Sequence, residues 1–284
     1  MTDMVGWRIL RAGAVPDDGG ASGSVLAVDF GQSRTDAGFP ELMAHLDIPW
    51  TILETISPKT GLGDRDALVP DAYLSGWTRA LAERAEPVHA VLGYCMGSPL
   101  ALALARWLAT RQDDAPVVVL FDPEHPATET LRAQFDLVVE GLAEELTAAE
   151  LSGARDCARR AADHGADPVR VAAALAELYH ELVVLAFVRA ELEEELAAEA
   201  ADRFANFLAY LVAAHLADEE PWAPEHIAVL SATPGGAARH AATRHSFDVP
   251  RRDLLRRPEV GRILSGLLRE NVAGAARRTP PGRR

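Results

Sequence analysis

The sequence predicts an α/β protein with a mostly parallel central sheet and a helical insertion near its middle. Three observations predict it. Short aliphatic runs alternate with helical stretches through the first 126 residues, strand character vanishes over 127–218, and it returns just before a last helix. Strand–helix alternation is the pattern of a parallel sheet joined by right-handed crossovers. With 284 residues, 49% apolar and 25% charged, the chain is long enough to bury a sizeable core.

The first strand expected is Trp7–Arg11, followed by the Gly/Asp/Ser-rich turn Asp17–Ser24. Val25–Asp29, Trp50–Glu54, Val88–Leu92 and Val117–Phe121 are mostly aliphatic, unalternating and bounded by Gly, Pro or charge, as strands covered on both faces are. Helices are expected between them at Phe39–Leu46, Ala72–Arg84 and Pro99–Arg111. From Ala127 to Asp218 only helical periodicity is found. Leu175, Leu178, Leu182 and Leu185 share one helical face, and Phe204, Leu208 and Leu211 another, the ordinary signature of core packing. Strand character resumes at His226–Leu230, then come the Gly-rich Thr233–Ala238 and a helix over Glu259–Glu270. The division read is a core of 1–126 and 219–273, an insertion over 127–218, and a disordered basic tail over 274–284.

A net charge of −14 argues against non-specific nucleic-acid binding, because an acidic surface repels phosphates. Cys95 and Cys157 form no disulfide framework, and no Cys/His cluster has zinc spacing. The opening Met1–Val5 carries no basic stretch leading into an apolar run, so no signal peptide is expected. The longest apolar run, Leu182–Val188, is too short to span a bilayer. A soluble, cytoplasmic, reduced protein is the expectation.

The informative stretch runs from Val88 through Gly93-Tyr94-Cys95-Met96-Gly97 into a helix near Pro99. This is a nucleophile elbow of the G-x-S-x-G kind with cysteine in place of serine. Flanking glycines permit the sharp strand-to-helix turn, and the helix N-terminus favours developing negative charge on the thiol. The Met96 amide is then one oxyanion donor. A buried structural cysteine between glycines is the plainer alternative. Cys157 lies in a polar helical stretch and reads as structural.

An elbow nucleophile calls for an acid and then a histidine later in the chain. Asp122 stands at the C-terminal edge of the Val117–Phe121 strand, where parallel sheets carry active-site groups, with Glu124 and His125 further along the turn. His226 precedes the last strand and falls at the wrong end of the sheet. His245 is the favoured base, in a loop between that strand and the final helix, and His240 is the alternative in the same loop.

With these residues in place, the chain resembles the thioesterase domains and stand-alone thioesterases of polyketide and non-ribosomal peptide synthesis, which have the α/β-hydrolase fold. The resemblance covers Trp7–Arg11, Val25–Gly31, the elbow, Val117–Pro123 and Ala228–Leu268. Val-Val-Val-Leu-Phe-Asp-Pro looks like the family's acid-bearing strand, and Ser231–Arg239, where other members place the acid, holds no carboxylate. Arg244-His245-Ser246-Phe247 resembles the family's Asp-His-Phe with one residue inserted and Arg replacing Asp. The resemblance implies a second oxyanion donor at Gln32 or Gly31, a helical lid over 127–218, and an acyl donor that is a phosphopantetheine arm on an acyl or peptidyl carrier protein, or coenzyme A. It implies no metal and no diffusible cofactor.

Under this reading Cys95 takes the acyl group, His245 accepts the thiol proton, and Asp122 orients the imidazole. Release is by hydrolysis, cyclisation or transfer to a small-molecule acceptor; exchanging one thioester for another suits transfer. Gly-Tyr-Cys-Met-Gly also looks like dienelactone hydrolases, which use a Cys–Asp–His triad but lack a long insertion. A catalytically inactive binding protein on the same fold is the non-enzyme alternative. Arg239–Arg269 carries eight arginines against Asp248, Asp253 and Glu259, a patch that suits an acidic carrier, with Arg251 and Arg252 as docking candidates. A solvated charged face accounts for the same run.

Overall fold

The computed structural model describes residues 4–13, 22–31, 36–163, 166–218, 222 and 225–278, the last four by backbone alone. Seven strands among these form one sheet: β1 (Trp7–Arg11), β2 (Ser24–Val28), β3 (Thr51–Thr55), β4 (Val88–Tyr94), β5 (Val117–Phe121), β6 (Ile227–Leu230) and β7 (Thr243–Ser246). Their order is β1-β3-β2-β4-β5-β6-β7, with β1 antiparallel to β3 and every other neighbour parallel. The helices are α1 (Phe39–Met43), α2 (Pro70–Ala82), α3 (Ser98–Ala109), α4 (Thr128–Glu140), α5 (Ala148–Ala161), α6 (Pro168–Arg189), α7 (Glu194–Ala217) and α8 (Pro258–Arg278).

Both faces of the sheet are covered, which is why its strands read as unbroken aliphatic runs. On one face Val25, Ala27, Ile52, Leu92, Tyr94, Val119, Phe121 and Val229 join Phe39 and Leu42 of α1 and Val260, Leu264 and Leu268 of α8 in one buried cluster. On the other, α3 packs along β4 and β5 with Leu100 and Leu104 fully buried.

Two features depart from expectation. The loop expected to hold His245 contains a further strand, β7, whose residues are polar and mostly exposed; as an edge strand it carries little of the apolar signal that reveals the inner ones. The last helix continues through Arg278, so the tail expected to be disordered from 274 is helical as far as the description goes, and 279–284 lie outside it. Ala273, Ala275 and Ala276 with Arg277 and Arg278 are strong helix formers, and the nearest breaker is Pro280.

The chain divides into two compact units. One holds Met1–Ile56, Leu74–His125 and Ala217–Arg284, and contains the sheet. The other holds Pro126–Leu216 together with Ser57–Tyr73, a segment expected in the core. Within this second unit Phe204 packs on Tyr179 and Phe135, at 4.7 and 6.4 Å between ring centroids. Its α6 is buried along Leu175, Tyr179, Leu182, Val183 and Ala186, leaving Leu178 and Leu185 of the expected stripe only partly covered. Contrary to the expectation from Leu182–Val188, α6 is long and apolar enough to cross a membrane by length and composition, with mean hydropathy 1.8. It packs against α4 and α5 instead, and exposes Glu177, His180 and Glu181.

Candidate active site

The site begins where β4 ends. Cys95–Gly97 form a single tight turn and α3 starts at Ser98, with Pro99 in its first turn, where a missing N–H costs nothing. The turn forces Cys95 into the left-handed region, φ +51°, a conformation that costs a non-glycine residue about 1–3 kcal/mol. Its carbonyl is held twice, by the Ser98 N–H and by the Glu124 N–H at 3.2 Å. Gly93 is required here: a Cβ on it would meet the Ala101 Cβ at 2.8 Å and Leu120 Cδ2 at 2.9 Å. The result is a partly buried thiol at the C-terminal edge of the sheet, with a Met96 N–H contact to its sulfur.

Asp122 lies opposite Cys95, because β4 and β5 pair with Tyr94 beside Phe121. It too has positive φ, +43°, and it is fully buried. Its N–H donates to the Val229 carbonyl at 2.9 Å, and Oδ1 accepts the Ser231 N–H at 2.8 Å. Its other oxygen, Oδ2, faces Arg251 Nε at 3.4 Å, a charge contact outside hydrogen-bond geometry.

Arg251 is the residue that sequence reasoning misplaced. The chain leaving β7 runs beside the chain leaving β6, with Phe247 N–H on the Leu230 carbonyl and Ala232 N–H on the Val249 carbonyl, both at 2.9 Å. Past Pro250 it delivers Arg251 to the sheet edge. There the guanidinium reaches Cys95 Sγ (Nη1, 3.7 Å), Asp122, and Glu124, whose Oε1 it meets through Nη2. Glu124 is held from behind by Gly235, where a Cβ would approach Glu124 Cγ to 2.4 Å. Cys95, Asp122, Glu124 and Arg251 are thus one cluster. Arg251 is withdrawn from the expected docking pair, while Arg252 remains exposed.

His245 is not brought into that cluster. It lies within β7, in register with Val229, two strands from β5 and therefore roughly 10 Å across the sheet. Being in register with Val229 and Phe121, its side chain shares their face of the sheet, over which α8 packs, at the level of the last residues of β4 and β5. Its Nε2 is enclosed and has no hydrogen-bond partner among the described residues. The triad expectation fails at this member because an unrecognised strand moved His245 out of the loop and put Arg251 beyond the strand end. His240, the alternative, is exposed at the end of a short turn, Gly236–His240. Of the expected oxyanion donors, the Met96 N–H faces the Cys95 sulfur, Gln32 lies outside the described residues, and Gly31 is exposed with φ +67°.

Electrostatics follow from this cluster. Burial pushes the Cys95 thiol up to about 12, Glu124 adds to the rise, and Arg251 and the Met96 amide act against it. Burial works to lower the Arg251 pKa, but Cys95, Glu124 and Asp122 outweigh it and hold the guanidinium charged. At neutral pH the cluster therefore rests as a neutral thiol beside an Arg–carboxylate network. Among the described residues no group of three or more His, Cys, Asp or Glu is placed to hold a metal ion.

No family model matches the chain, and no curated protein does. Solved structures do. A four-domain non-ribosomal peptide synthetase, holo-AB3403 bound to AMP and glycine, superposes with TM-score 0.53 at 14% identity, over 98% of this chain and 20% of that one. YbtT, a type II thioesterase from the yersiniabactin NRPS/PKS biosynthetic pathway, gives 0.51 at 12% identity, over 94% of this chain and 98% of that one. A loop variant of a haloalkane dehalogenase from Bradyrhizobium elkanii gives 0.48 at 13%, over 96% and 95%. The chain spans a fifth of the synthetase and nearly all of the thioesterase. At such identities the likeness is one of architecture, and with the sheet order and the elbow it identifies the chain as an α/β-hydrolase fold.

Proposed function

We propose that this protein is a thioesterase-like enzyme that takes an acyl group from a carrier-protein or coenzyme A thioester onto Cys95 and passes it on, in biosynthesis of the polyketide or non-ribosomal peptide type. One observation carries the reading: Cys95 is held at φ +51° on the strand-to-helix turn with its sulfur 3.7 Å from Arg251. A fold gains nothing in stability from a strained cysteine facing a half-buried cation, and strain of this kind collects at functional sites. Two similar architectures, a type II thioesterase and a peptide synthetase, are consistent with that substrate class.

In the acylation step Cys95 Sγ adds to the thioester carbonyl. The Met96 N–H, with Gln32 as second donor, stabilises the oxyanion. The C–S bond to pantetheine breaks, and the departing sulfur takes up the proton that Cys95 loses. Arg251 favours negative charge on the Cys95 sulfur, and Asp122 and Glu124 hold Arg251. One thioester replaces another, so the step is nearly thermoneutral. No diffusible cofactor takes part, the pantetheine arriving on the donor. An acidic carrier is met by the exposed Arg252, Arg256 and Arg262.

Intact mass spectrometry after brief exposure to acyl-pantetheine thioesters tests the proposal. A mass increase equal to the acyl group, absent in Cys95→Ala, is expected. Folded protein that gains no mass with any donor would instead favour a hydrolase-fold binding protein. That second reading has its own support in the thiol pushed up to about 12 and in the absence, among the described residues, of an imidazole from the Cys95 cluster.

A further inference from the structure

A second polar cluster follows the first along the chain in the sheet-bearing unit, and it holds an imidazole, which the Cys95 cluster lacks among the described residues. His125 Nδ1 is 2.5 Å from Asp218 Oδ2, and the other oxygen of that carboxylate accepts the Trp222 Nε1–H at 2.5 Å. The carboxylate is thus fixed at both oxygens. An aspartate on Nδ1 places the neutral imidazole's proton there and leaves the Nε2 lone pair as the base, the arrangement by which an acid orients a general base. The rings of Trp222 and His240 lie 4.6 and 5.9 Å from His125, and a third of the His125 side chain stays exposed. The residue before His125 is Glu124, whose N–H holds the Cys95 carbonyl and whose carboxylate holds Arg251. The dyad therefore begins one residue from the nucleophile's own backbone contact, at the same edge of the sheet.

We propose that the His125–Asp218 pair is the general base for the second half-reaction, taking the proton from an O–H or N–H acceptor, directly or through one water, as it attacks acyl-Cys95. This rests on Cys95 being the acyl carrier. The acceptor's O or N bonds to the acyl carbon while its proton moves to His125 Nε2. The C–S bond then breaks with the electron pair on Cys95 sulfur beside Arg251, and that sulfur recovers the proton from His125. The acceptor class is accordingly water, an alcohol or an amine, one whose attacking atom must lose a proton. The other ionisable groups around the pair are His240, Arg239 bonded to it, His226 across Trp222, and Glu124 next in the chain.

The test is single-turnover release. Acyl-enzyme formed from acyl-pantetheine is freed of donor, and its decay is followed by intact mass from roughly pH 5 to 9, the range in which an imidazole titrates. His125→Ala is expected to acylate within about threefold of the unsubstituted protein yet release its acyl group about a hundredfold more slowly. It should lose the pH inflection, and added imidazole should restore release in a saturable way. Asp218→Asn should fall between. Should His125→Ala not fold, His125→Gln takes its place. An adduct whose release is unchanged in the variant, or slowed without rescue by imidazole, overturns this inference alone. Unsubstituted protein that never forms the adduct overturns it together with the proposed function.

Discussion

Replacing Glu124 with Gln should make Cys95 more reactive, and replacing Arg251 with Gln less. In the native cluster the thiol is pushed up to about 12, chiefly by burial and next by Glu124. At pH 8 only about one part in ten thousand is then thiolate, against roughly a quarter of a free thiol. Iodoacetamide alkylation should accordingly rise tenfold per pH unit past about pH 10 without levelling. In Glu124→Gln a raising charge is gone, so the same profile moves to lower pH. In Arg251→Gln the opposite holds. Two unit charges 3.7 Å apart attract by roughly 4 kcal/mol at an effective dielectric constant of about 20, equivalent to about three pKa units before water screens a guanidinium 28% exposed. A further loss of about tenfold or more at fixed pH is expected. Cys157→Ser is the background, since Cys157 is exposed and would otherwise dominate. The shape of the pH profile separates thiolate fraction from access, which burial also limits. A native profile that levels between pH 8 and 9, or a Glu124→Gln profile displaced upward, would refute the electrostatic account of the cluster.

Three further outcomes follow from the geometry. Gly93→Ala should lower stability by about 1–3 kcal/mol in urea unfolding, because the added methyl meets Ala101 and Leu120 inside 3 Å. Asp122→Ala should cost about 3 kcal/mol by leaving Arg251 short of a buried partner and the Ser231 N–H without an acceptor. Asp122→Asn, which keeps an acceptor for Ser231, should cost less in the same measurement. His245→Asn should leave acyl loading of Cys95 within about threefold of native by intact mass, since a triad base would cost hundreds-fold.

The fold was legible because inner strands of a doubly covered sheet advertise themselves. Val117–Phe121 was readable to the residue, an apolar run set between Pro116 and Asp122. β7 was not, because Thr-Arg-His-Ser at an exposed edge has neither aliphatic content nor alternation to distinguish it from loop. The attachment of Ser57–Tyr73 to the helical unit was equally hidden, since nothing local in a segment records which distant residues it packs on.

That one unseen strand decides how much of the site could be read. Cys95 and Asp122 sit at the ends of inner strands, where local pattern and strand edge coincide, and both lie at the edge as the sequence implied. The base depended instead on counting residues after the last visible strand. Inserting β7 shifts that count, so that His245 becomes a strand residue and the position beyond the strand end belongs to Arg251. Nothing distinguishes Arg251 from seven other arginines in its run until the Phe247–Leu230 and Ala232–Val249 bonds align the two departing chains. A guanidinium there is chemically different from an imidazole. It stabilises a thiolate, but a guanidinium that stays protonated has no lone pair with which to accept a proton. A site built this way can hold charge on sulfur, but it offers an acceptor's proton only the carboxylates that Arg251 already engages. The imidazole–carboxylate pair proposed to take that proton, His125 with Asp218, is joined to the Cys95 cluster through the Glu124 backbone.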